Sequence, residues 1–225
     1  MNTASASFFS ESRSSLMSPD TPIVFVVDDD ISVRESLEIL ICCAGWRSEV
    51  FATAKEFLAR PRVFVPSCLV LDVSLPDLNG LDLQKRIATD RIDMPIIFIT
   101  GHGDVPMTVR AMKEGAVDFL TKPFDDEVLL GAIRNSIARS NIALIQEVKV
   151  RALRAGYASL STREREVMEL VVSGMLNKHV GVKLGISEVT VKAHRGRMMQ
   201  KMKAGSLADL VKMAGALSPS TFTVR

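Results

Sequence analysis

The sequence predicts an α/β fold, a five-stranded parallel doubly wound sheet, followed by a smaller all-helical domain. Three observations carry this. Short apolar runs alternate with helical segments five times between residues 23 and 139, and such alternation means a parallel sheet covered on both faces. The runs are rich in β-branched and aromatic residues and bounded by Pro, Gly and Asp, as buried strands are. Beyond Ser161 only helical periodicity remains, and the charge reverses: residues 21–140 hold 13 Lys+Arg against 18 Asp+Glu, residues 141–225 hold 14 against 6. An acidic front joined to a basic back implies two modules with different partners.

The elements follow in order. Strands are expected at 23–27, 48–51, 68–71, 95–99 and 117–121, and helices at 31–44, 54–60, 80–88, 105–114 and from 125 onward. Thr53-x-x-Glu56 forms a capping box for the second helix. Asn79-Gly80 and Gly101-x-Gly103-Asp104 are turn chemistry. The fifth helix continues the spacing of Leu130, Ile133, Ile137, Leu144 and Val148. It is either one amphipathic helix packed on its own domain or a linker that can pair or re-dock. Ser161-x-x-Glu164 is a second capping box and opens the helical segment, with helices at 162–173, 177–184, 188–203 and 206–216. Gly174 and Gly185 suit C-caps, Ser187 and Ser206 suit N-caps. The expected domains are a tail over 1–20, an α/β domain over 21–140, a linker helix over 141–157 and a helical domain over 158–218.

Composition narrows the function. Apolar residues make up 47% and charged residues 24% of the 225, as in a soluble globular protein. No stretch approaches the roughly 20 apolar residues that span a bilayer, so no membrane partner is expected, and the start lacks the pattern of a secretory signal. Seven of the first twenty residues are Ser, which suggests a disordered tail. Cys42, Cys43 and Cys68 lie within apolar patterns and read as core thiols in a reducing cytoplasm.

The strand ends carry the chemistry. Asp28 and Asp29 follow the first run, Asp72 the third, Thr100 the fourth, and Lys122-Pro123 the fifth. Open α/β sheets gather function beyond the carboxyl ends of their strands. Three acids brought together there repel unless a hard cation joins them, and oxygen-only ligation suits Mg²⁺. A lysine and a hydroxyl beside the metal suit a phosphoryl group.

This set resembles the receiver domain of two-component response regulators, over essentially all of 22–140. The resemblance rests on Asp28-Asp29, on Asp72 with Pro76 and Gly80, on Thr100-Gly101, and on Phe119 ahead of Lys122-Pro123. It implies a flavodoxin-like fold in which Asp72 accepts a phosphoryl group from a sensor histidine kinase. It also implies Mg²⁺ held by Asp29, Asp72 and the Ser74 carbonyl, with Asp28 acting mainly through water. Lys122 and Thr100 would bind phosphoryl oxygens, Phe119 would be the aromatic that turns inward, and the Lys122-Pro123 bond would be cis. His102, in the same turn, reads as an exposed imidazole without a role.

An enzyme reading competes. Asp28-x-Asp30-x-Ser32 resembles the first motif of haloacid-dehalogenase-like phosphotransferases, with Asp28 as nucleophile and Asp30 as acid/base. It leaves Asp72 without a role, and the late pair Asp125-Asp126 follows Lys-Pro-Phe rather than a strand. The expectation is that the chain is not an enzyme.

The last helices read as helix, glycine turn, helix, the layout of a DNA-binding pair. Residues 188–203 carry Lys192, His194, Arg195, Arg197, Lys201 and Lys203 beside Val189, Val191, Met198, Met199 and Met202. One side is therefore expected to be buried and the other cationic. Residues 158–217 resemble the LuxR-type helix-turn-helix through Leu160 to Val167, Asn177-Lys178, and Leu184-Gly185-Ile186-Ser187-x-x-Thr190-Val191-Lys192-x-His194. The resemblance implies that Thr190, Lys192, Arg195 and Arg197 face double-stranded promoter DNA, that Ser187 and Lys178 touch its backbone, and that Ala193 offers apolar contact. Gly196 is a helix glycine with no local reason.

Receiver plus LuxR-type domain resembles the FixJ/NarL group, and Phe98 to Lys113 leans to its FixJ-like branch. This implies a cytoplasmic, phosphorylation-dependent transcriptional regulator with RNA polymerase as a further partner. It also implies homodimerisation through the fourth helix, fifth strand and fifth helix (Val105 to Ile137). The competing class, a receiver acting through protein contacts alone, leaves the basic half unexplained.

Overall fold

In the computed structural model, which describes residues 21–90, 94–101 and 103–217, the chain divides between Leu144 and Ile145 into two compact units. The expectations for the 1–20 tail, for His102 and for Ser218 lie outside the described residues.

The first unit holds strands β1 (Ile23–Val27), β2 (Arg47–Phe51), β3 (Ser67–Asp72), β4 (Ile96–Thr100) and β5 (Asp118–Thr121). All neighbours are parallel, in the order β2-β1-β3-β4-β5. Its helices are α1 (Ile31–Cys43), α2 (Ala54–Ala59), α3 (Gly80–Asp90), α4 (Val105–Lys113) and the first part of α5 (Asp126–Ala158). The register aligns the strand ends: Val27 pairs with Leu71, Asp72 with Ile99, and Thr100 with Thr121.

Alternate strand residues feed two cores, which explains why the strands read as continuous apolar runs rather than alternating ones. Phe25, Val27, Leu69, Leu71 and Phe98 pack with Phe57 of α2 and Leu83 and Ile87 of α3. Val24, Val26, Val70, Ile97 and Ile99 pack with Leu37 and Ile41 of α1 and Leu129 and Ile133 of α5.

Local signals hold with some corrections. Thr53 caps α2 by accepting from the Glu56 N–H, but the Glu56 carboxylate reaches the Ala52 N–H, one residue upstream of the expected box. Asn79 and Asp104, expected as turn residues, cap α3 and α4 by accepting from the Leu81 and Met107 N–H groups. Cys68 is buried, and burial pushes its thiol well up, so it is inert. Cys43 is exposed rather than a core thiol: two residues past buried Ile41 it faces the opposite side of α1. The Lys122–Pro123 bond is cis.

The second unit comprises the rest of α5 with α6 (Thr162–Val172), α7 (Asn177–Leu184), α8 (Glu188–Met202) and α9 (Leu207–Leu217). α5 is a single 33-residue helix, and the division falls within it. Val167, Met168, Val171, Val180, Val191, Met198 and Leu210 form the core. The Ser161 capping box is complete, Ser187 and Ser206 cap α8 and α9, and Gly185 ends α7 at φ 67°.

Candidate functional site

β1, β3 and β5 deliver four charged groups, Asp28, Asp29, Asp72 and Lys122, to the carboxyl end of the sheet. The carboxylates of Asp28, Asp29 and Asp72 offer oxygens within 4.8 Å of one another. Asp28 is fully buried, Asp72 nearly so, and Asp29 is exposed. Lys122 Nζ reaches back from the end of β5 and donates to Asp28 Oδ2 at 2.6 Å and Asp72 Oδ2 at 3.1 Å. Its backbone N–H donates to the Thr100 carbonyl at 2.7 Å, which continues the β4–β5 pairing past the last strand residue.

Two of the three carboxylates are oriented by local amides. Asp28 Oδ1 accepts from the Asp30 N–H at 2.9 Å, and Asp72 Oδ1 from the Ser74 N–H at 3.0 Å. Burial pushes the Asp28 carboxyl above its ordinary range, against the pull of Lys122 and the Asp30 amide, and the Asp72 charge adds to the rise. Burial pulls Lys122 down, but its bonds to Asp28 and Asp72 outweigh this and hold the ammonium above its ordinary value. A buried acid kept partly compensated beside two others is a donor set for a hard divalent cation.

Thr100 is fully buried at the end of β4. Phe119 is half-buried, with its ring centroid 6.1 Å from that of Phe98. The Thr100, Phe119 and Thr121 side chains converge on Gly103, where an added Cβ would lie 3.0–3.2 Å from each. Gly80 has a similar cause. A Cβ there would meet the Asp72 carbonyl at 2.6 Å, so the chain leaving the acidic pocket needs a glycine. Ser74 is exposed in the loop that follows Asp72.

The geometry weighs against the phosphotransferase reading. Both Asp28 oxygens are engaged and shielded from solvent. Asp30, the acid/base of that reading, caps α1 by accepting from the Ser32 N–H at 2.8 Å. Asp125 caps α5 by accepting from the Glu127 N–H at 2.8 Å.

In the second unit, α8 buries Val191, Met198 and Met202. The opposite face exposes Val189, Lys192, Ala193, Gly196, Arg197 and Gln200, the spacing of one helix side. Lys178 on α7 is exposed too. Lys192 Nζ lies 2.9 Å from Glu188 of the preceding turn, an exposed pair worth little. Around Gly196 an added Cβ would meet nothing within 4 Å, so packing does not explain that glycine.

Other polar and charged residues of this helix pair have structural partners. The Ser187 and Thr190 hydroxyls bond each other at 2.8 Å at the start of α8. Arg195 is half-buried and donates to Asn177 Oδ1 at 3.1 Å, tying α8 to the start of α7. His194 is half-buried with Nδ1 enclosed in protein. Lys201 donates to Glu164 Oε2 at 2.6 Å and to the Ser159 carbonyl at 3.1 Å. Exposed Val189, 76% accessible on the cationic face, is an apolar contact surface that sequence reasoning counted toward the buried side.

The Glu164 carboxyl is held below its ordinary value of 4.5 by Lys201 and the Ser161 amide. Its contribution to stability is therefore present above pH 4.5 and lost as pH falls through the lower folded value. Glu164→Gln should cost about 2 kcal/mol at neutral pH and remove the acid-side step. Amide exchange across α6 and α8 between pH 7 and 3.5 checks this; an unchanged step would refute it.

Comparison with known proteins agrees with both halves. Residues 24–134 match the response regulator receiver domain family, and residues 158–214 match the bacterial regulatory proteins of the luxR family. Nodulation protein W of Bradyrhizobium diazoefficiens is 51% identical over 88% of this chain and 87% of its own. The transcriptional regulatory protein FixJ of the same organism is 41% identical over 85% and 93%. Among solved structures, the response regulator StyR is 44% identical, with a TM-score of 0.78 over 87% of this chain and 98% of its own. No described helix is long and apolar enough to cross a membrane.

Proposed function

Because this chain belongs to the two-component response regulators, transcriptional regulators that join a receiver domain to a LuxR-type DNA-binding domain as FixJ does, we propose that Asp72 is its phosphoacceptor and that phosphorylation there governs DNA binding through α8. The observation that carries the proposal is Lys122 Nζ bonded to both Asp28 and Asp72 within the three-carboxylate cluster. The receiver spans 21–140, the linker helix 141–157 and the DNA-binding domain 158–218. The compartment is the cytoplasm.

The Asp72 carboxylate attacks the phosphorus of a kinase phosphohistidine; the P–N bond breaks and the imidazole leaves. Asp29, Asp72 and the Ser74 carbonyl would hold Mg²⁺, with Asp28 behind them, and the cation would supply charge neutralisation at the phosphoryl group. Such transfer depends on positioning and electrostatics more than on covalent help. Ser74 N–H fixes one Asp72 oxygen, and Lys122 exchanges its bond to the other for the incoming phosphoryl oxygens. Thr100 donates to the same group and draws its loop inward, and Phe119 follows.

The added charge, about −1.5 to −2, biases the α4–β5–α5 face toward a homodimer. Exposed Val105, Val109 and Met112 on α4 suit that role. A dimer presents two α8 helices to half-sites about one helical turn apart. Lys192, Ala193 and Arg197 face the DNA bases and backbone, Lys178 and Ser187 touch phosphates, Thr190 contributes while closing the start of α8 with Ser187, and Arg195 contributes while tying α8 to α7. RNA polymerase is a further partner.

Lys192→Ala tests the interface. Operator affinity should fall and the slope of log affinity against log salt should flatten by about 1. Fluorescence anisotropy across a salt series measures both; an unchanged slope would remove Lys192 from the interface.

A further inference from the structure

We infer that Asp77 is a positioning residue for the divalent-metal site: its carboxylate docks the loop between β3 and α3 onto the first turn of α2 and thereby fixes the Ser74 carbonyl. The inference rests on the reading above, in which Asp29, Asp72 and that carbonyl take the cation.

The loop leaves β3 at Asp72 and enters α3 at Gly80. Its base is closed by the Gly80 N–H donating to the Val73 carbonyl at 3.0 Å, and Leu75 is buried in the core. Ser74 and Pro76 are exposed, so neither is held by packing. Asp77 supplies a polar anchor beyond the buried Leu75. Its Oδ1 accepts from the Ala54 N–H at 3.2 Å and its Oδ2 from the Lys55 N–H at 3.0 Å, 23 and 22 residues away in sequence.

These amides belong to the first turn of α2, whose N–H groups have no partner within the helix. Thr53 Oγ1 takes only the Glu56 N–H. The two bonds therefore have a use on both sides: they satisfy α2 and they hold the loop. Ser74 lies between two fixed points, its own N–H on Asp72 Oδ1 and the Asp77 carboxylate three residues on. A carbonyl held that way is preorganised for a cation, and groups that orient ligands tune metal affinity.

The chemistry selects a carboxylate. Two N–H donors need two acceptor oxygens, and an amide offers one oxygen and an NH₂ that faces a donor. Asp77→Ala removes both bonds, and Asp77→Asn leaves one.

The test uses the full chain. Titration calorimetry with MgCl₂ measures the cation directly in the unmodified chain and in both variants. Hydrogen exchange follows the Ala54 and Lys55 amides, and a small-molecule phosphodonor reports labelling of Asp72. Asp77→Ala should weaken Mg²⁺ about tenfold, with Asp77→Asn between it and the unmodified chain. Both amides should exchange faster in Asp77→Ala, and at least one of them in Asp77→Asn. The Mg²⁺ concentration for half-maximal phosphorylation should rise while the plateau at saturating Mg²⁺ is kept.

Unchanged Mg²⁺ affinity with opened Ala54 and Lys55 amides would overturn the inference, because Asp77 would then serve α2 alone. Unchanged exchange at those amides would also overturn it. Should the alanine variant fail to fold, the asparagine variant gives the same readouts. If the unmodified chain binds Mg²⁺ but takes no label on Asp72, the phosphoacceptor reading falls while calorimetry still decides the role of Asp77.

Discussion

Asp72→Asn should abolish the rise in DNA affinity that a phosphodonor produces, while leaving the affinity of the untreated protein unchanged. The amide keeps the shape of the side chain and an oxygen for the Ser74 N–H, so the loop stays in place. It removes the nucleophilic carboxylate and one of three acids whose oxygens lie within 4.8 Å of one another. Relief of like-charge crowding offsets the lost bond from Lys122, which keeps its shorter contact to Asp28 at 2.6 Å. Thermal stability should therefore hold or rise. Anisotropy on operator DNA with and without phosphodonor, beside a melting curve, separates lost chemistry from lost fold. A variant that still responds fully would place the phosphoacceptor elsewhere.

Gly181→Ala should have the next largest effect, on the other module. An added Cβ would meet the Ile186 carbonyl at 2.7 Å. That oxygen is backbone, in the turn between α7 and α8, and the Ile186 N–H donates to the Gly181 carbonyl at 3.0 Å. No side-chain rotation relieves the clash, so the turn has to move. Overpacking of this kind costs about 1–3 kcal/mol, and a displaced α8 should lower DNA affinity more than tenfold with phosphorylation of Asp72 unaffected. Parallel anisotropy and phosphorylation assays measure the two. Wild-type affinity in this variant would mean that the α7–α8 spacing does not set DNA binding.

The strands were legible because both faces of the sheet are buried, so β1, β3 and β4 show as unbroken apolar runs. Their ends were less so: Asp72 is the last residue of β3, and Thr100 the last of β4. Polar residues that terminate a strand look the same as residues that follow it. The acidic pocket was legible for a topological reason, since every group in it sits at a strand end. Which groups touch was not. Lys122 and Asp28 are 94 residues apart, and only folded geometry shows the lysine shared between two acids.

On α8 the cations were visible but their partners were not. Lys201 counted toward the cationic side of the helix, yet it is bonded to Glu164 and Ser159. Arg195 divides its role by holding Asn177. Charge patterning along one helix cannot separate a cation aimed at solvent from one claimed by another helix. Asp77 was hidden for a similar reason: in sequence it is one more turn aspartate, and its amide partners lie on a helix two elements earlier.

The most direct measurement is chemical mapping of the modified residue. Protein treated with a phosphodonor and Mg²⁺ is reduced with labelled borohydride, which converts an acyl phosphate to a labelled alcohol, and is then digested. The label should lie on the peptide containing Asp72, at that residue, and be absent without phosphodonor. Label on Asp28, or none on either aspartate, would contradict the account.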